Sequence, residues 1–180
     1  MFSSRIHIVI LGPPAVGKLT VSRRLSEIIN FPIFDNSKTV SIASIIYGYG
    51  TTEFRQFRDK LRFTFYNEVS KGETIQGLIS TNVLRHPNNW IYFNKVEQIF
   101  TNYNWKTIYV LLIAELEVLF ERVEQSDRLT KHSLHTKNEL LNWLSENPLH
   151  SKIHYKKCKI IDTSNSDISE VVNKIIDLIV

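Results

Sequence analysis

Only one cysteine, Cys158, occurs in the 180 residues, so the chain can form neither an internal disulfide nor a cysteine-rich zinc site, and a cytoplasmic setting is the natural expectation. Long apolar runs are missing as well. The apolar opening Ile6 to Leu11 is far too short for a membrane span, and it runs straight into Gly12-Pro13-Pro14 without a signal-peptide cleavage pattern. It reads as a buried strand, and no membrane partner is expected. Runs of like charge are also absent. With a net charge of +4 and basic residues scattered among acids, nucleic acid is a poor partner, while a small anionic ligand such as a nucleotide fits. Linkers, internal repeats and low-complexity segments are missing too, so residues 1–180 read as one domain, long enough to bury roughly two-thirds of the unfolded surface.

What the chain does have is an alternation of short apolar runs with helical patterns, which predicts βα units around a parallel sheet. The expected strands are Ile6–Leu11, Pro32–Phe34, Thr74–Ser80, Thr107–Ala114 and Lys159–Ile161. A helix after Gly17 would bury Val21, Leu25, Ile28 and Ile29, and one from about Thr52 to Lys71 would bury a stripe of Phe54, Phe57, Leu61 and Phe65. Further helices are expected over about Asn94–Tyr103, behind the capping box Thr136-Lys137-Asn138-Glu139 with Leu140, Leu141 and Leu144 inward, and behind Asp167 with Ile168, Val171, Val172, Ile175, Ile176 and Ile179 on one face.

Gly12-Pro13-Pro14-Ala15-Val16-Gly17-Lys18 fits the pattern of a phosphate-binding loop, and its context decides the matter: it follows a β-branched strand and opens an amphipathic helix. In such a loop, successive backbone N–H groups surround phosphate oxygens and the positive end of the helix adds to the attraction. Pro13 and Pro14 have no N–H, so donors are expected from Ala15 through Val16, Gly17, Lys18 and Leu19 to Thr20, with the prolines stiffening the entry. Lys18 would bridge the β- and γ-phosphates of ATP. Leu19 stands where a Ser or Thr normally holds Mg²⁺, and Thr20 comes one place late, so no direct protein ligand for the metal is expected. His132 with His135, and His150 with His154, lack a nearby acid and are not read as metal sites.

The Gly-Lys-x-Thr form resembles adenylate kinases, and the wider match is to the nucleoside-monophosphate-kinase and shikimate-kinase-like group of P-loop proteins. It rests on Gly12–Thr20, on Asp35 after the second strand, and on Arg122 and Arg128 in the region of a lid at about 123–136. The resemblance implies a three-layer α/β P-loop NTPase fold with a five-stranded parallel sheet, and ATP- and Mg²⁺-dependent phosphotransfer to a small acceptor. It also implies that Asp35 takes the acceptor proton or holds magnesium-bound water, that Arg122 stacks on adenine, and that Arg128 reaches the phosphates on closure.

Ligands gather at the carboxyl ends of parallel strands. Thr81 and Asn82 either bind substrate there or cap their strand, and Asp35-Asn36-Ser37 is alternatively a polar turn. Arg55, Arg58 and Arg62 share a helix face and suit an anionic acceptor, with Arg58 preferred, although a solvated charged surface explains them too. The rival functions are a nucleoside monophosphate kinase and a nucleotide-binding protein without catalysis.

Overall fold

The computed structural model describes residues 4–83, 89–125, 134–147 and 158–179. Five strands form one parallel sheet: β1 (Arg5–Leu11), β2 (Ile33–Asp35), β3 (Gly77–Asn82), β4 (Trp105–Ile113) and β5 (Cys158–Asp162), ordered β2-β3-β1-β4-β5. Seven helices flank it among the described residues: α1 (Lys18–Ile29), α2 (Ser37–Ile46), α3 (Thr52–Lys71), α4 (Asn89–Thr101), α5 (Leu116–Val123), α6 (Lys137–Glu146) and α7 (Ile168–Ile176). Because side chains alternate along β1, Ile6, Ile8 and Ile10 meet Val21 and Leu25 of α1 and Val171, Val172 and Ile175 of α7. Val9 and Leu11 face the other way, onto Phe93 of α4. Burial on both faces is what drives a continuous apolar strand, at about 1.5–3 kcal/mol for each large side chain.

Several expectations shift. The third strand is Gly77–Asn82 rather than Thr74–Ser80, because Thr81 and Asn82 continue the ladder opposite Ile10 and Leu11 of β1. The fourth is Trp105–Ile113 and the fourth helix starts at Asn89, each earlier than its apolar pattern implied. Ile28, Leu141 and Ile168 lie on exposed helix faces. The residues 37–46, a β-branched stretch that gives no helical signal, form α2.

The inward face of α3 also differs from the expected stripe. Phe54, Tyr66 and Ser70 are its buried residues, whereas Phe57, Leu61 and Phe65 are half-buried. Arg58 and Arg62 occupy the two intervening positions at four-residue spacing, with side chains 21% and 13% exposed. The solvated-surface reading therefore holds for Arg55 alone, which is exposed.

Candidate functional site

The sheet places the carboxyl ends of β1, β2 and β3 side by side, with β1 in the middle of the order and flanked by β3 and β4. This is the crevice where open α/β sheets bind ligands. Leu11 ends β1 and Gly12 turns the chain with φ +150°; a Cβ there would stand 2.6 Å from the Leu112 carbonyl oxygen. Gly17 takes φ +92° at the N-cap of α1, a left-handed conformation that side chains resist. Ala15 accepts φ +67° between them, so the loop is held in a shape that costs backbone strain.

Lys18 folds back over this loop. Its Nζ donates to the carbonyl oxygens of Gly12 at 3.0 Å and Pro13 at 2.6 Å, which keeps the ammonium at the mouth of the loop. No side chain caps the N-terminus of α1, so its dipole and first amides point at the same place. Pro13 and Val16 are buried, Pro14 and Leu19 are half-buried, and Thr20 is exposed.

Two strands away, Asp35 is the last residue of β2 and stands in register with Thr81 of β3. Its Oδ1 accepts from the Ser37 amide at 3.0 Å and from the Thr81 hydroxyl at 3.3 Å, and its Oδ2 accepts from the Ser37 hydroxyl at 2.7 Å. The turn and the strand-end readings of these residues thus coexist in one network: Asp35 starts α2, and Thr81 steadies Asp35. Arg58 lies apart from this pair, donating to Asp59 Oδ1 at 2.8 Å.

On the opposite flank, Arg122 of α5 is fixed by Thr163, just after β5. Its Nη1 donates to Thr163 Oγ1 at 3.0 Å and its Nη2 to the Thr163 carbonyl at 2.7 Å. Thr163 Oγ1 lies 3.1 Å from the Ile113 carbonyl and 3.4 Å from that of Val16, so this residue joins Arg122 to the phosphate loop. Next to it, the hydroxyl and amide of Ser164 hold the Asp162 carboxyl below its ordinary pKa. No local sequence pattern marks this bridging role of Thr163. Arg128 lies outside the described residues, as does most of the expected lid. Among the described residues no group of three or more His, Cys, Asp or Glu side chains is placed to hold a metal.

The family model for the AAA domain matches residues 8–139, a span that includes the loop, Asp35, Thr81 and Arg122. The chain belongs to the AAA domain family. Within the structures of its fold, this AAA-domain chain is similar to a provisionally assigned kinase from Chloroflexus aurantiacus, at 17% identity and TM-score 0.68, over 97% of this chain and 98% of the other. It is similar to shikimate kinase from Acinetobacter baumannii solved with shikimate, at 19% identity and TM-score 0.62, over 98% and 93%. A gluconokinase from Sinorhizobium meliloti matches at 16% identity and TM-score 0.61, over 96% and 89%. These likenesses establish the three-layer P-loop fold. No curated protein matches the chain by sequence.

Proposed function

We propose that this AAA-domain protein is an ATP-dependent small-molecule kinase that moves the γ-phosphate onto a hydroxyl of a small acceptor. One observation carries the reading: a strained, uncapped phosphate loop holding Lys18 opens on the same sheet edge as the hydrogen-bonded Asp35–Thr81 pair. The kinases among its structural neighbours support it.

In this reading the amides from Ala15 to Thr20 and the Lys18 ammonium hold the ATP phosphates. The acceptor oxygen attacks the γ-phosphorus, the bond from that phosphorus to the β–γ bridging oxygen breaks, ADP leaves, and Asp35 takes the hydroxyl proton. Thr81 keeps the carboxylate aimed. Arg58 reads an anionic group on the acceptor, Arg122 offers its guanidinium plane to adenine, and Arg128 closes on the phosphates from the segment at about 123–136. The Leu19 side chain has no oxygen, so this reading gives Asp35 and Thr20 the waters of a magnesium ion carried on ATP. Magnesium carried on ATP would offset phosphate charge there. No described helix is long and apolar enough to cross a membrane, and the work of such a kinase belongs in the cytoplasm.

A second reading, nucleotide binding without catalysis, has its own support: β3 ends in Thr81 and Asn82 instead of an acid, and Leu19 offers no oxygen. Coupled ADP release separates the two when run across nucleoside monophosphates, shikimate, gluconate, other hydroxyl-bearing metabolites, and aminoglycoside and phenicol drugs. Acceptor-stimulated release supports the kinase, stimulation by monophosphates alone makes it a nucleoside monophosphate kinase, and ATP binding with no stimulation supports the non-catalytic reading.

A further inference from the structure

Arg62 makes more contacts between elements than any role in solvent requires. Its Nε donates to Thr39 Oγ1 of α2 at 2.9 Å, and its Nη2 to the Asn36 carbonyl of the β2–α2 turn at 3.3 Å. Its Nη1 lies 3.7 Å from Asp59 Oδ1, and its guanidinium stands 5.9 Å from the ring centroid of Tyr92 on α4. Thr39 Oγ1 in turn donates to the Asn36 carbonyl at 2.7 Å. The Asn36 side chain donates to the Thr81 carbonyl at 2.8 Å and to the Tyr66 hydroxyl at 3.1 Å. A continuous polar chain therefore runs from Arg62 to the end of β3, passing next to Asp35.

The surroundings give this chain its importance. Helix α2 buries only Thr39 and Ala43, and Ile42, Ile45 and Ile46 stay exposed, so apolar packing holds the helix weakly. Burying a guanidinium is costly unless its donors are met, and its rigid fork fixes direction in a way that an aliphatic side chain does not.

Resting on the kinase reading above, we infer that Arg62 is a positioning residue for phosphotransfer: it locks α2 and the Asp35 turn onto α3, so that Asp35 stays aimed at the acceptor, and it touches no substrate itself. Arg58 and Arg62 share Asp59 Oδ1, at 2.8 Å and 3.7 Å, which links the strut to the residue that meets the acceptor.

The test uses the full chain with R62Q, R62K and T39V, the last keeping the guanidinium while removing one of its acceptors. Amide hydrogen exchange should speed up at least tenfold across residues 37–46 in R62Q and less in T39V, with β1 and the phosphate loop unchanged. ATP affinity should stay within twofold. With AMP and shikimate as anionic probes, R62Q should lower kcat more than it raises the KM of whichever probe is turned over, the KM for ATP should hold, and R62K should recover part of kcat. Unchanged exchange over 37–46 in R62Q overturns the inference. So does a loss confined to probe KM while α2 stays protected, because Arg62 would then be a ligand. If wild-type protein turns over no acceptor in the wider panel, the kinase reading falls and positioning for transfer falls with it, while the exchange result still decides whether Arg62 anchors α2.

Discussion

The Thr81 hydroxyl donates to Asp35 Oδ1 at 3.3 Å across two strands paired in register, which ties the acid at the end of β2 to the strand beside the phosphate loop. The carboxylate also accepts from the Ser37 amide and hydroxyl, so its orientation is fixed by the protein itself. Asp35→Asn keeps an oxygen for the Ser37 amide while removing the basic carboxylate. Turnover should fall by roughly a hundredfold or more with ATP affinity unchanged and stability lowered by less than about 1 kcal/mol. Steady-state kinetics beside nucleotide titration checks this; full activity would return Asp35 to a purely structural turn.

The phosphate loop separates shape from charge. Gly12→Ala drives a Cβ to 2.6 Å from the Leu112 carbonyl oxygen, a backbone atom that cannot move aside cheaply, so the melting temperature should drop. Lys18→Ala removes the ammonium together with its contacts to the Gly12 and Pro13 carbonyls, which lie at the mouth of the loop. It should melt within a few degrees of wild type while losing ATP binding or transfer. Calorimetry and nucleotide titration on both variants test the division.

Thr163 bridges segments far apart in the chain, and its hydroxyl has one hydrogen to share between the Val16 and Ile113 carbonyls while accepting from Arg122. Thr163→Val preserves shape and removes all three contacts. Stability should fall by about 1–3 kcal/mol, ATP affinity should weaken, and Thr163→Ser should restore most of both. Urea unfolding and nucleotide titration on the pair read it; a Thr163→Val protein indistinguishable from wild type would reduce the bridge to coincidence.

These relationships show where the sequence was legible. Strand β1 and its loop could be read because a β-branched run, two glycines and a lysine meet a steric and electrostatic demand within a dozen residues. The capping box at Thr136 and the N-cap at Asp167 were equally local. Helix α2 was hidden because Val40, Ile42, Ile45 and Ile46 disfavour helix on propensity, and it is held by Arg62 and Thr39 through contacts 23 residues apart. The face of α3 was misread because aromatic residues outweigh arginines in a hydropathy pattern, whereas Arg58 and Arg62 bury their stems and satisfy their heads. Thr163 acts through partners 41, 50 and 147 residues away, which no local pattern carries.

Leu19 removes the usual hydroxyl ligand, so magnesium should arrive with the nucleotide and keep much of its water shell. Titrating magnesium into protein without nucleotide should show very weak binding, and into ATP-loaded protein much tighter binding. Leu19→Ser should change magnesium-dependent turnover by a small factor only. Tight binding without nucleotide would reveal a metal site built by the protein and refute the water-mediated arrangement.

His7 sits in the central strand, fully buried, with Nε2 2.8 Å from Ser80 Oγ and its ring stacked on Phe100 at 4.0 Å. Its Nδ1 is buried without a hydrogen-bond partner among the described residues, so a proton there would carry charge into an aromatic pocket. Burial accordingly lowers its pKa from 6.5 to about 3. The unfolded chain takes up this proton near pH 6.5 and the folded chain does so only near pH 3, so the unfolded state binds more protons throughout that window. Stability is then fully present above pH 6.5 and is lost as the pH falls toward 3, by about 1.4 kcal/mol per unit once the unfolded histidine is charged. Between pH 7.5 and pH 5 His7 should account for about 2 kcal/mol of lost stability. His7→Asn, which cannot titrate, should start less stable at pH 7.5 because a core ring is gone, yet show a shallower decline. Urea unfolding of both proteins at these pH values measures the difference, and parallel declines would show that His7 is protonated in the native state and that its pocket is open to water.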